Sequence, residues 1–161
     1  MDKNAVHRAL IDHISAELAR VKETHKATTQ AAFHEENKAE DDKDTRAIEG
    51  SYLARGLAER VANLEGDLTR ARVMALRPFG EESPVGLSAL VAVEDVDSGA
   101  EARYFLAPVA GGAKLQVGGE LVRVLTPSSP LGGALLGSVV EDEVSFNSPQ
   151  GLRTLEILSV S

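Results

Sequence analysis

The chain has 161 residues, a formal net charge of −8, few aromatic residues, no tryptophan and no cysteine. Without cysteine neither a disulfide framework nor a thiolate metal site can form, which fits a reducing cytosol. No apolar run approaches the roughly 20 residues of a membrane span, and the opening MDKNAVHRALIDHIS mixes charges with apolar residues, so a soluble, cytoplasmic protein without a signal peptide is expected.

From Asn4 to about Asn37 there is no Gly or Pro, and Leu10, Ile14, Leu18 and Val21 recur at spacings of four, four and three. The same seam continues through His25, Thr28, Ala32 and Glu35. A second stripe runs through Leu57, Val61, Leu64, Leu68 and Ala71, and extends back through Ala54, Gly50 and Ala47. Two stripes of 3.5-residue period joined by a polar break predict an antiparallel coiled-coil hairpin over residues 1–77. Folding the chain about position 41 sets Val21 against Val61, Thr28 against Ala54 and Ala32 near Gly50. Large residues then meet near the base and small ones near the tip. About 30 residues per helix gives an arm of about 45 Å. The break, NKAEDDKDTRAIE, gathers Glu40, Asp41, Asp42 and Asp44 at that tip, although crowded like charges repel.

The period changes after RPFGEESPVG, where Pro78, Gly80, Pro84 and Gly86 punctuate the chain. Six β-prone runs follow: LSALVAVEDV, ARYFLAPV, AKLQV, ELVRVLT, EDEVSF and LRTLEILSV, with turn signals at DSG, AGG, GG and NSPQG. One helix is predicted in SSPLGGALLG, with Ser129 as N-cap, Pro130 at the first helical position and Gly137 at the C-terminal cap. Residues 78–161 therefore read as a small α+β domain, a twisted β-sheet with one short helix. Tyr104 and Phe105 are expected in its core.

Charge divides along the same line. Residues 1–78 carry 13 basic and 14 acidic residues, whereas 79–161 carry 4 and 11. Direct, non-specific duplex binding would need a broad basic face, and none is evident, and no specific DNA binding is expected. A protein partner is the better expectation. The four histidines never fall at i, i+4, so a helical metal pair is not expected. His25 is expected to be partly packed on the seam. The helical arginines are expected on solvated faces or paired with Glu49, Glu59 and Glu65.

The stretch TPSSPLGGALLGSVVEDEVSFNSPQG resembles the C-terminal signature of the Gre transcript-cleavage factors, the GreA/GreB family. The matching positions are Ser129, Pro130, Leu131, Gly132, Ala134, Leu135, Leu136 and Gly137, then Asp142 to Val144, then Pro149 and Gly151. The order of parts, hairpin then sheet, matches too. Gly133 departs from the family's Lys or Arg, and Gly132, Gly133 and Ala134 read as small residues that let the helix lie close on the sheet. Glu141 replaces its Gly, which strains a turn that needs positive φ.

The resemblance implies an FKBP-like sheet domain that docks on bacterial RNA polymerase, with Ser129, Pro130, Leu131, Gly132 and Leu135 supporting the dock by packing and by contact. It implies that the hairpin enters the secondary channel and that Glu40, Asp41, Asp42 and Asp44 are candidate ligands of a Mg²⁺ shared with the polymerase. No cofactor is expected in isolation, no catalysis by the chain itself, and RNA contact only indirectly.

The tip departs from cleavage-competent relatives. Its i, i+3 acid pair is Asp41 and Asp44, while counting back along the second helix aligns Glu40 and Lys43 instead. The Asn-Ala-Glu-Tyr run is replaced by TRAIEGSYLARG. Three readings stand open: the acids stimulate cleavage of backtracked RNA, the tip occupies the channel as an inhibitor, or an Asp caps the second helix and the others are solvated. A different class of function also stands open, an interaction module whose hairpin dimerises.

Overall fold

A computed structural model describes residues 1–36 and 44–161, with side chains described up to His34 and from Ile48 onward. Two long helices, α1 (Lys3–Glu36) and α2 (Asp44–Val73), precede the strands. The chain divides into two compact units, His13–Thr69 and a second comprising Met1–Asp12 with Arg70–Ser161.

In the His13–Thr69 unit the expected seam is the buried one. Ile14, Leu18, Leu64 and Leu68 are buried, and Val21, His25, Thr28, Ala32, Gly50, Ala54, Leu57 and Val61 are half-buried. A Cβ built on Gly50 would lie 3.6 Å from the Ala32 Cβ, so these two positions face each other as the fold about position 41 requires. Thr28 is tolerated in the seam because its hydroxyl donates to the Thr24 carbonyl one turn back, at 2.9 Å. The ion pairs differ from expectation. Arg60 pairs with Glu17, and Lys22 Nζ lies 2.6 Å from Glu65 Oε1, so both pairs link one helix to the other instead of running along one. Exposed pairs of this kind contribute about 0–1 kcal/mol each, and they help set the register.

In the other unit, Val6, Leu10 and Ala71 are buried, and a ring nitrogen of His7 lies 2.7 Å from the Ala71 carbonyl oxygen. Lys3 donates to the Arg77 carbonyl and sits 4.7 Å from the centre of the Phe79 ring, tying the first turn of α1 to the segment after α2.

The six strands are β1 (Leu90–Asp95), β2 (Glu101–Leu106), β3 (Lys114–Val117), β4 (Glu120–Leu125), β5 (Glu143–Ser148) and β6 (Gly151–Val160), each within or overlapping its expected run. They form one sheet in the order β3-β4-β2-β1-β6-β5, antiparallel except for the β2–β4 pair. The short helix α3 (Pro130–Leu135) packs against β5. Because side chains alternate along a strand, Val91, Val93, Tyr104, Leu106, Leu155 and Ile157 join Leu131 and Leu135 of α3 in one core. The register sets Leu90, Phe105 and Val124 side by side on the other face, where all three are also buried.

Candidate functional site: hairpin tip and α3 platform

Glu40, Asp41 and Asp42 lie outside the described residues. Asp44 is the first residue of α2, and its side chain is likewise outside them. α1 ends at Glu36 and α2 begins at Asp44, so the four acids fall between two helices or at the start of one. Among the described residues no group of three or more His, Cys, Asp or Glu side chains is disposed to hold a metal ion.

The α3 platform is fully described. Ser129, at φ −76° and ψ 150°, accepts from the Gly132 amide at 3.1 Å and donates to the Thr126 carbonyl at 2.7 Å. It is thus the expected N-cap, with Pro130 following at the first helical position. Gly137 has φ +84°, the left-handed conformation that ends helices, and its amide donates to the Val85 carbonyl at 2.9 Å. Val85 in turn donates to the Ser138 carbonyl at 2.8 Å, fastening the C-terminal end of α3.

Leu131 and Leu135 point into the core, so they hold α3 in place, while Pro130, Gly133 and Leu136 form its exposed side. The crowding that requires glycine comes from the preceding loop and not from the sheet. A Cβ on Gly132 would sit 2.0 Å from the Thr126 carbonyl oxygen, whereas one on Gly133 would meet only Pro127 O at 3.4 Å.

Glu141 has φ +71°, so the strain expected there is present. Its amide donates to Ile157 O at 2.9 Å, and the Asp142 carboxylate accepts from the Val139 amide at 2.8 Å, closing the turn into β5.

Two further polar anchors are not legible as such in the sequence. Asp95 is buried, and its Oδ1 accepts from the Ser98 amide and hydroxyl at 2.9 and 2.7 Å, while Oδ2 accepts from Arg153 Nε at 3.0 Å. The Ser98 hydrogen bonds first, then Arg153, depress the Asp95 pKa to about 2. The second anchor is Ser88, which is fully buried at φ +69° and accepts from the Arg77 amide at 2.9 Å. A D-x-x-S turn signal was available for Asp95, but nothing local marks Ser88.

A family model described as "Transcription elongation factor, GreA/GreB, C-term" matches residues 81–161, just over half of the chain. The transcription elongation factor GreA of Nitratidesulfovibrio vulgaris is 30% identical over 151 residues, covering 93% of this chain and 89% of that protein. The chain belongs to the GreA/GreB family.

GreA of Xanthomonas campestris pv. campestris is 28% identical over 102 residues, 63% of this chain, and there the chain spans 61% of the relative's length. Among solved structures, GreA factor homolog 1 of Thermus thermophilus is 22% identical, with 95% of each chain covered and a TM-score of 0.42. The GreA/GreB match includes all of α3, its caps and the Glu141 turn. This member of the family thus combines its C-terminal domain with two helices that have three acids between them in the sequence and a fourth, Asp44, opening the second.

Proposed function

We infer that this GreA/GreB family member is an accessory factor of bacterial RNA polymerase in the cytoplasm, without catalytic activity of its own. The sheet domain docks on the polymerase through the α3 platform, and the hairpin tip enters the secondary channel. Glu40, Asp41, Asp42 and Asp44 then lie beside the active centre. The observation that supports this reading best is the coupling of a GreA/GreB C-terminal domain to two paired helices with those four acids at their connection. Hard Mg²⁺ prefers carboxylate oxygen and water, and a second ion in such a centre stabilises attacking and leaving oxygens of a phosphodiester. The ion would be shared with the polymerase, because the acids offer only part of a coordination shell.

The action follows as stimulated cleavage of backtracked RNA. A second reading, occupation of the channel as an inhibitor, is favoured by one observation: the run after the acids is TRAIEGSYLARG, and one register places Lys43 where the second acid belongs. Purified polymerase stalled in a backtracked complex separates the two. Wild type should shorten the transcript from its 3′ end, and D41N/D42N/D44N should bind equally well yet leave the transcript intact. Slowed elongation without cleavage would establish the inhibitory reading. Absence of binding to polymerase would refute both and leave the interaction module with a dimerising hairpin.

A further inference from the structure

Residues 79–161 hold 4 basic side chains against 11 acidic, a net charge of −7. Two of the four are paired, Arg103 with Glu120 and Arg153 with Asp95. The other two, Lys114 and Arg123, are exposed and stand directly opposite each other in the β3–β4 register. Among the described residues neither takes part in an ion pair or a side-chain hydrogen bond. Like charges set opposite across two strands are destabilising, so the sheet gains nothing from their pairing. β3 is a sheet edge, where lysine commonly discourages pairing with other strands, but that role does not extend to Arg123 on the inner strand β4.

The register also assigns the two cations to one face. β4 lies beside β2 with Arg123 next to Tyr104 and Val122 next to Arg103, and residues paired across strands point the same way. Tyr104 belongs to the core beneath α3, so Arg123 and Lys114 continue its row past the ground that α3 covers. Gln116 and Leu121, paired with each other two positions along, share this face, and Leu121 is 40% exposed. The two acids of β2, β3 and β4 are elsewhere: Glu101 and Glu120 share the opposite face with Arg103. α3 has no charged residue. The α3-side face of the β3–β4 hairpin thus holds two cations, an exposed aliphatic side chain and no carboxylate from these three strands, in a domain that is otherwise acidic.

We propose that this face binds an acidic segment of a partner protein, with carboxylates on Lys114 and Arg123 and an aliphatic side chain against Leu121. Charge complementarity selects the occupant. A basic segment is repelled by both cations. A nucleic acid has the right charge at the contact, but its phosphates continue beyond it and meet a domain of net charge −7. A small inorganic anion leaves Leu121 in water. A short run of Asp or Glu beside Leu or Val matches both the local charge and the apolar contact. The face is separate from the tip acids, and the proposal stands whether or not the partner is a polymerase.

The test uses the isotope-labelled full chain and three probes of equal length: the acidic peptide SDELVEDLS, its amide analogue SNQLVQNLS and an oligouridylate. The acidic peptide should move the backbone amide resonances of Lys114, Gln116, Leu121 and Arg123 saturably, with Kd on the order of 0.1–1 mM. The other two probes should bind at least about fivefold more weakly, and added salt should weaken the acidic complex. The double variant Lys114→Gln/Arg123→Gln should weaken it about threefold to tenfold, the scale of two exposed ion pairs. The amides of Leu106 and Leu135 should keep their positions in that variant, reporting an intact fold. Arg103→Gln removes a charge from the opposite face and should change Kd by less than about twofold. No saturable shift at the four positions by roughly 2 mM peptide, equal affinity for the amide analogue or the oligouridylate, unchanged affinity in the double variant, or an equal loss in Arg103→Gln overturns the proposal.

Discussion

Replacing Gly132 with alanine should loosen the anchorage of α3, while the same change one residue later should not. The new Cβ at position 132 would lie 2.0 Å from the Thr126 carbonyl oxygen, 2.7 Å from Ser129 Oγ and 2.9 Å from the Thr126 carbonyl carbon. Backbone cannot yield as a long side chain can, so either α3 or the loop before it must move by about 1 Å or more to restore van der Waals contact. That movement weakens the Ser129 cap, worth about 1 kcal/mol. It also draws Leu131 and Leu135 partly out of the core, where overpacking and lost contact together cost about 1–3 kcal/mol. The better helix propensity of alanine offsets about 1 kcal/mol. The net loss for Gly132→Ala is therefore about 1–3 kcal/mol. Gly133→Ala meets nothing closer than 3.4 Å and should be neutral or more stable by up to about 1 kcal/mol. Urea unfolding followed by tyrosine fluorescence measures this in a Tyr52→Phe background, because the chain has two tyrosines and Tyr104 is the one in the sheet core. Equal midpoints for the two alanine variants would refute the reasoning.

The remaining predictions concern strain, helix propensity and protonation. Glu141→Gly should stabilise the protein by about 0.5–1 kcal/mol, because relief of the φ +71° strain exceeds the entropy glycine adds to the unfolded chain; the same urea titration reads it. Gly56→Ala and Gly66→Ala should each raise the stability of α2 by about 1 kcal/mol, since no atom lies within 4 Å of either added Cβ; thermal melts at 222 nm report the gain. Asp95 has a folded pKa of about 2 against about 3.9 when unfolded, so its contribution is present above pH ~4 and is lost as the pH falls through about 2. Asp95→Asn should flatten the acid limb of the stability profile in that window while leaving its shape at neutral pH unchanged, and acid titration of both proteins compares them.

The helical seam was legible because its signal is repeated. Sixteen positions from Leu10 to Ala71 follow the seam, and each described one is buried or half-buried. The strands were legible because every turn between them carries Gly or Pro, and five glycines there adopt positive φ. The α3 caps followed from single residues whose chemistry acts locally, Ser129 and Gly137. What the sequence concealed depends on partners far along the chain. Ser88 meets Arg77 and Leu106, and Asp95 meets Arg153, 58 residues away. The cross-helix pairs Arg60–Glu17 and Lys22–Glu65 escaped for the same reason, since spacing along one helix does not reveal the neighbour across the seam. The reason for Gly132 was half legible: a small residue was required, but the crowding atom belongs to the loop that enters the helix.

The central claim is positional, that the acids at Glu40 to Asp44 sit beside the catalytic ion of a polymerase. Exchanging that ion for Fe²⁺ in a stalled elongation complex and mapping hydroxyl-radical cuts along the end-labelled bound protein measures the position directly. The account predicts cuts centred on residues 40–44. Cuts confined to residues 81–161, or none while the protein stays bound, would contradict it.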